Sequence, residues 1–258
     1  MKNTKRIISV ILALAMVFSL MGTMAYAKGT RPEGSISFAV LSDPHFYPAS
    51  LTGDNCEEYE EYCSYSSKMY SQSGDMVKTA IETMMKRNPG LEYVLVPGDL
   101  TKDGEKEGHK ALAEIFREYE EKYGIEFLVT TGNHDINQAA SSSFESGKEE
   151  FAETATADDF RDIYADFGYD LAFTEYASKG DNVRGQLSYA ADLKGSDGNE
   201  SFRLIVVDSC IYSFDEPSKE TAGEITPELM GWIKALTEDA YAEGKTPFIM
   251  MHHSRSLY

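Results

Sequence analysis

Four apolar runs in this sequence each stop at side chains able to bind a cation or move a proton. Val40-Leu41-Ser42-Asp43-Pro44-His45 ends in Asp and His, and Val94-Leu95-Val96-Pro97-Gly98-Asp99 ends in Asp. Phe127-Leu128-Val129-Thr130-Thr131-Gly132-Asn133-His134-Asp135 delivers an amide, an imidazole and a carboxylate in succession. Phe248-Ile249-Met250-Met251-His252-His253 ends in paired histidines. Carboxylate, amide and imidazole together suit a hard or borderline divalent cation rather than a thiolate-preferring one. An aspartate that bridges, with other ligands on either side, would hold two such ions about 3.5–4 Å apart. A pair of ions at that spacing polarises a phosphoryl oxygen and lowers the pKa of a bridging water into the range of a nucleophile. The same ions stabilise the negative charge that develops in the transition state. One such run alone would read as a turn or a cap; four in this order describe a metal site.

These side chains need rigid elements behind them. Residues 36–41, 93–96, 126–129 and 248–251 read as short buried strands. Helices fall between them. One carries Met76, Val77, Ala80, Ile81, Met84 and Met85 on one face and stops at Asn88-Pro89-Gly90. Another, over 103–123, buries Leu112, Ile115, Phe116 and Tyr119, with His109 expected at its surface. Residues 137–156 lack a period and read as a loop with helical pieces. Thr156 and Asp159 resemble a capping box opening a short helix with Phe160, Ile163, Tyr164 and Phe167 inside, ending at Gly168. Residues 186–193 and 202–207 read as strands of a second sheet. Thr226-Pro227-Glu228 starts a helix that buries Leu229, Trp232, Ile233 and Leu236 and ends at Gly244. Alternation of strand and helix in the first half predicts a parallel sheet with helices on its faces, in a single α/β domain. Sites in such sheets form beyond the carboxyl ends of the strands, where all four ligand-bearing runs end.

Composition sets the address. Lys2, Lys5 and Arg6 precede the apolar run 7–20, and Ala25-Tyr26-Ala27 supplies a small-residue cleavage site. Residues 1–27 therefore read as a secretory signal peptide, which places the mature chain outside the cytoplasm with no stable membrane insertion after cleavage. The chain of 258 residues has a net charge of −19, and the leader removes three basic residues and no acidic ones. Such a surface repels polyanions and argues against a nucleic-acid duplex as partner, but not against a phosphate group at a locally positive metal site. The stretch 47–73 is Tyr-rich and acidic, and reads as a solvated surface insertion or, in a sharper reading, a lid over the site. Within it, Cys56 and Cys63 could pair in an oxidising compartment, whereas Cys210 packs as a small hydrophobe.

Asp43-x-His45, Gly98-Asp99 with Gly104 beyond it, Gly132-Asn133-His134-Asp135 and His252-His253 resemble, in that order, the calcineurin-like metallophosphoesterase superfamily. The resemblance spans about residues 36–253. It implies a four-layer α/β/β/α sandwich and a dinuclear centre of two divalent metal ions such as Mn, Fe or Zn. It also implies hydrolysis of a small phosphomonoester or phosphodiester by a metal-bridging hydroxide. Carried over residue by residue, Asp43 and His45 hold the first metal, Asp99 bridges, and Asn133 and His252 hold the second, with His252 preferred to His253. His134 becomes the proton donor or phosphate contact, oriented by Asp135. The family closes its site with a later Gly-His-x-His segment, and no His follows His253 here. The resemblance therefore implies a domain over 28–258 that is incomplete at its C-terminus, without the closing strands and their ligands. A second reading follows from the same departure: a secreted binding or surface module on a degenerate, inactive phosphoesterase fold.

Overall fold

The computed structural model describes residues 31–178, 184–212 and 220–254, so the expected leader at 1–27 lies outside the described residues. Strands β1 (Phe38–Val40), β2 (Tyr93–Pro97) and β3 (Glu126–Thr130) pair in parallel in the order β1-β2-β3. Parallel neighbours need a crossover, and three helices supply it. Helices α1 (Glu57–Tyr65) and α2 (Ser73–Arg87) lie between β1 and β2, and α3 (Lys106–Tyr123) between β2 and β3. Val77 and Ile81 of α2 and Leu112 and Phe116 of α3 enter the main core with Val94, Val96 and Leu128. Each such fully buried side chain is worth about 1.5–3 kcal/mol relative to an exposed one. Gly124 ends α3 at φ 65°, a left-handed cap that a side chain would strain.

The second sheet runs β6 (Ala172–Glu175), β7 (Tyr189–Leu193), β8 (Phe202–Val207), β9 (Thr246–Met251), with only β8 and β9 parallel. A small antiparallel ribbon, β4 (Ser142–Ser143) with β5 (Glu150–Phe151), precedes it. Strand β8 shows how the layers follow from a two-residue period. Leu204 and Val206 join the main core, while Ile205 and Val207 join a separate cluster with Leu229, Ile233 and Leu236 of helix α5 (Pro227–Ala242). The two sheets therefore face each other, and helices cover their outer faces. The Tyr189 hydroxyl donates to the Val129 carbonyl at 3.0 Å across the sheet interface. The result is the expected α/β/β/α sandwich.

Several local expectations need correction. Strand β1 is not buried: it is an edge strand, with Phe38 45 % and Val40 53 % exposed. Part of 137–156 is extended ribbon rather than helix. The short helix α4 (Ala157–Ile163) has the capping box of Thr156 and Asp159 and gives way to a wide turn, Ala165–Tyr169. There Gly168 sits at φ 105°, and a Cβ would fall 2.2 Å from the Tyr189 hydroxyl, so the turn requires glycine. The 47–73 stretch is not merely a solvated insertion. It folds into α1 and flanking turns around an aromatic cluster of Tyr47, Leu51, Tyr59 and Tyr70, closed by Phe144. Cys56, Cys63 and Cys210 are free thiols. Cys56 caps α1 and Cys63 lies inside it. Seven residues of helix rise roughly 10 Å, beyond the Cα separation a disulfide spans.

Candidate metal centre

All four ligand-bearing runs end on one side of the sandwich. The loops after β1 and β2 are zipped together by backbone bonds: Asp43 N–H to Gly98 O at 3.3 Å, His45 N–H to Asp99 O at 3.0 Å and Phe46 N–H to Leu100 O at 2.9 Å. The loops after β2 and β3 pack even more closely. A Cβ on Gly98 would lie 2.5 Å from Gly132 N, and one on Gly132 would lie 2.1 Å from Asp99 N. Both positions exclude any larger residue, and the approach sets Asp99 against the turn that carries Asn133 and His134. Asp43, His45 and Asp99 take positive φ values of 53°, 41° and 51°. Non-glycine residues pay about 1–3 kcal/mol for such backbone, and it persists where surrounding contacts over-determine it.

Asp99 is the centre of the cluster. Its Oδ2 lies 3.5 Å from His45 Nε2 and 4.0 Å from His134 Nε2, while its Oδ1 lies 3.5 Å from His252 Nε2. Asn133 Oδ1 is 3.1 Å from His252 Nε2. Ligand atoms of Asp43, Asp99 and His252 fall within 4.8 Å of one another, and so do those of His45, Asp99 and His134. Two donor groups of carboxylate and imidazole that share Asp99 suit the binding of divalent metal. His252 donates from Nδ1 to the Pro97 carbonyl at 2.9 Å, which leaves Nε2 with its lone pair toward the cluster. His253 turns instead to Ser209 Oγ at 2.8 Å and the Thr221 carbonyl. Asp43, His45, Asp99, Asn133 and His252 thus lie close together, but the groups join Asp43 to His252 and His45 to His134, not Asp43 to His45 as expected, and His134 stands nearer the cluster than a purely peripheral residue would.

The role expected of Asp135 falls to another carboxylate. Asp135 is fully buried and accepts from Gly132 N–H at 2.7 Å and Thr101 N–H at 3.1 Å, tying the loop after β3 to the loop after β2. Burial and the nearby Asp99 push it up to about 7. It is Asp103 that accepts from His134 Nδ1, at 2.7 Å. Burial lowers the affinity of His134 for a proton, but the bond to Asp103 and the field of Asp99 outweigh it, so its pKa is raised. The other oxygen of Asp103 accepts from Lys102 Nζ at 2.7 Å. Lys102 is 1 % exposed; its ammonium also reaches Glu105 Oε1 at 3.3 Å, Ser142 Oγ at 3.0 Å and the Ala140 carbonyl at 3.2 Å. The Tyr62, Tyr47 and Tyr70 rings of the 47–73 segment stand 5.1, 5.8 and 5.9 Å from it, close enough for cation–π attraction.

His109 is not a surface residue. It is fully buried, in contact with the Tyr164 hydroxyl at 3.0 Å and the Asp135 carbonyl at 2.9 Å, and burial pulls its pKa down to about 4. Its position was legible, because His109, Leu112 and Phe116 fall on one helical stripe. Asp103 and Lys102 carried no comparable signal in sequence.

The family of calcineurin-like phosphoesterases matches residues 36–257, and the chain belongs to it. No curated protein matches. Among solved structures, a dimetal phosphatase from Danio rerio is similar at 12 % identity and a TM-score of 0.46, over 85 % of this chain and 70 % of that one.

Proposed function

We propose that this protein is an exported, dinuclear phosphoesterase that hydrolyses small phosphate esters, monoester or diester. The observation that carries the reading is Asp99, whose two oxygens face separate donor sets on the two sides of one carboxylate. Asp43, His45, Asn133 and His252 would hold the two cations with it. When bound, those cations would polarise the phosphoryl group and make a water nucleophilic near neutral pH. His134 supplies the proton that the departing alkoxide needs, held by Asp103 so that Nε2 faces the cluster. Lys102 fixes the second oxygen of Asp103 and so limits rotation of that carboxylate. The net charge of −19 favours a small substrate over duplex nucleic acid. Among the described residues, no helix is long and apolar enough to cross a membrane.

The test is direct. The protein, loaded in turn with Mn2+, Fe2+ or Zn2+, should bind two equivalents of metal by elemental analysis and hydrolyse p-nitrophenyl phosphate or bis(p-nitrophenyl) phosphate. Metal binding with no turnover of either would favour the binding-module reading instead. Export is tested separately by fusing residues 1–27 to a reporter that is active only outside the cytoplasm; a silent fusion removes that part of the proposal.

A further inference from the structure

The segment between β1 and α2 sends one cation into the site. Lys68 lies three residues beyond α1, its backbone N–H held by Ser66 Oγ at 3.0 Å. The chain on either side is anchored by Tyr59 and Tyr70 in the aromatic cluster. Its Nζ is 3.1 Å from His45 Nδ1; burial lowers its pKa, and the carboxylates of Asp99, Asp103 and Asp43 act in the opposite direction to hold its charge. Lys102, the other lysine near these carboxylates, is already saturated by Asp103, Glu105, Ser142 and the Ala140 carbonyl. Lys68 has no comparable enclosure: the ring nitrogen of His45 is its acceptor.

That acceptor is conditional. A histidine that ligates through Nε2 carries its proton on Nδ1, where it can no longer accept from an ammonium. His45 Nε2 is the atom that faces Asp99. With His45 acting as a ligand, Lys68 is left as a donor without its partner at the edge of a site built for an anion. We propose that Lys68 is a specificity-determining residue that binds the substrate phosphate and favours a monoester over a diester. The inference rests on the phosphoesterase reading above.

The preference follows from oxygen count and charge. A diester has two non-esterified oxygens and one negative charge; a monoester dianion has three and two. Cations held by these residues would engage two oxygens of either group, and only the monoester would keep a third for an ammonium. A charge-assisted bond to that oxygen is stronger than a neutral one. Attraction also scales with the charge on the ligand.

Inorganic phosphate and dimethyl phosphate serve as probes, titrated calorimetrically into the metal-loaded protein. Lys68→Met should weaken phosphate binding by about tenfold, or 1.4 kcal/mol. Dimethyl phosphate should change by no more than about threefold, having half the charge and no spare oxygen. Metal content and the thermal unfolding midpoint should hold, and Lys68→Arg should restore most of the phosphate affinity. The ratio of kcat/KM for p-nitrophenyl phosphate over bis(p-nitrophenyl) phosphate should fall with Lys68→Met. Equal loss on both probes, no loss on either, or loss of metal would overturn the role of Lys68 while leaving the phosphoesterase reading intact. If the unaltered metal-loaded protein binds neither probe, the phosphoesterase reading fails and this inference falls with it.

Discussion

The carboxylate of Asp103 accepts the Nδ1 proton of His134 at 2.7 Å, and this bond turns the imidazole so that Nε2 stands 4.0 Å from Asp99. The bond and the field of Asp99 together raise the pKa of His134 against the effect of burial. A proton donor must be protonated to act, so a raised pKa carries activity to higher pH. Asp103→Asn removes a charge but keeps the shape. We expect kcat to fall about 10–100-fold, less than the roughly 10²–10⁴-fold a general acid supplies because His134 remains, and the alkaline limb of the kcat profile to move to lower pH. An unchanged limb would mean that Asp103 does not tune this histidine.

His134 lies within ligand distance of the group containing His45 and Asp99, so its role needs a measurement that separates proton transfer from metal binding. His134→Ala should lower kcat by about 10²–10⁴-fold with two metals still bound. The loss should shrink for substrates with acidic leaving groups such as nitrophenolate, which depart without protonation. Asn133→Ala should instead lower occupancy of one metal, because Asn133 Oδ1 lies beside His252 Nε2 at 3.1 Å. Elemental analysis of both variants decides. Equal metal loss would make His134 a ligand.

The candidate ligands were legible as a group because each follows an apolar run, and a strand end is a place where chain direction and side-chain position are both constrained. The roles of Asp99 and Asn133 came from the family resemblance, and the close approach of Gly98 and Gly132 that sets them side by side shows only in the fold. The supporting groups were not legible in the same way. Asp103 sits four residues past Asp99, where an acidic residue reads as a helix start, and nothing local shows that it faces His134 across a loop. The acidic run Glu57-Glu58-Tyr59-Glu60-Glu61 suggested a wholly solvated segment. Its inward residues nonetheless keep helical spacing, with Cys56, Tyr59, Tyr62 and Cys63 on one side of α1. That short stripe was outweighed by composition. The openness of β1 could not be read at all, since an edge strand and a central one share the same apolar pattern.

Lys102 should matter more for stability than its charge alone would suggest. Its ammonium is balanced by Asp103 and Glu105, and Glu105 is as deeply buried as the lysine. Lys102→Met leaves Glu105 without its cation and Asp103 with His134 alone, and removing one partner of a buried ion pair costs about 3–5 kcal/mol. The double variant Lys102→Met with Glu105→Gln should recover part of that loss, since the second change removes an unpaired charge. Urea denaturation of the three proteins checks both steps. A single variant as stable as the parent would show that the cluster is not held by this pairing.

His109 gives the clearest acid dependence. Its pKa is about 4 in the folded chain, lowered by burial, against an ordinary value of 6.5. Above pH 6.5 the ring is neutral in both folded and unfolded chains, and its contribution to stability is fully present. Between pH 6.5 and about 4 the unfolded chain binds a proton that the folded chain refuses, so stability falls as pH falls. The limit of this loss is about 3 kcal/mol, from 1.36 kcal/mol per pKa unit. Asp135, raised to about 7 by burial and Asp99, works in the opposite sense, because the folded chain takes up its proton first on acidification. A comparison of the parent with His109→Gln isolates the histidine, since Asp135 is common to both. The stability difference between them, measured by urea denaturation at several pH values, should be largest above pH 6.5 and shrink by up to about 3 kcal/mol toward pH 4. A difference that stays constant across this interval would mean that His109 is charged inside the fold, and that its contacts with the Tyr164 hydroxyl and the Asp135 carbonyl hold an imidazolium.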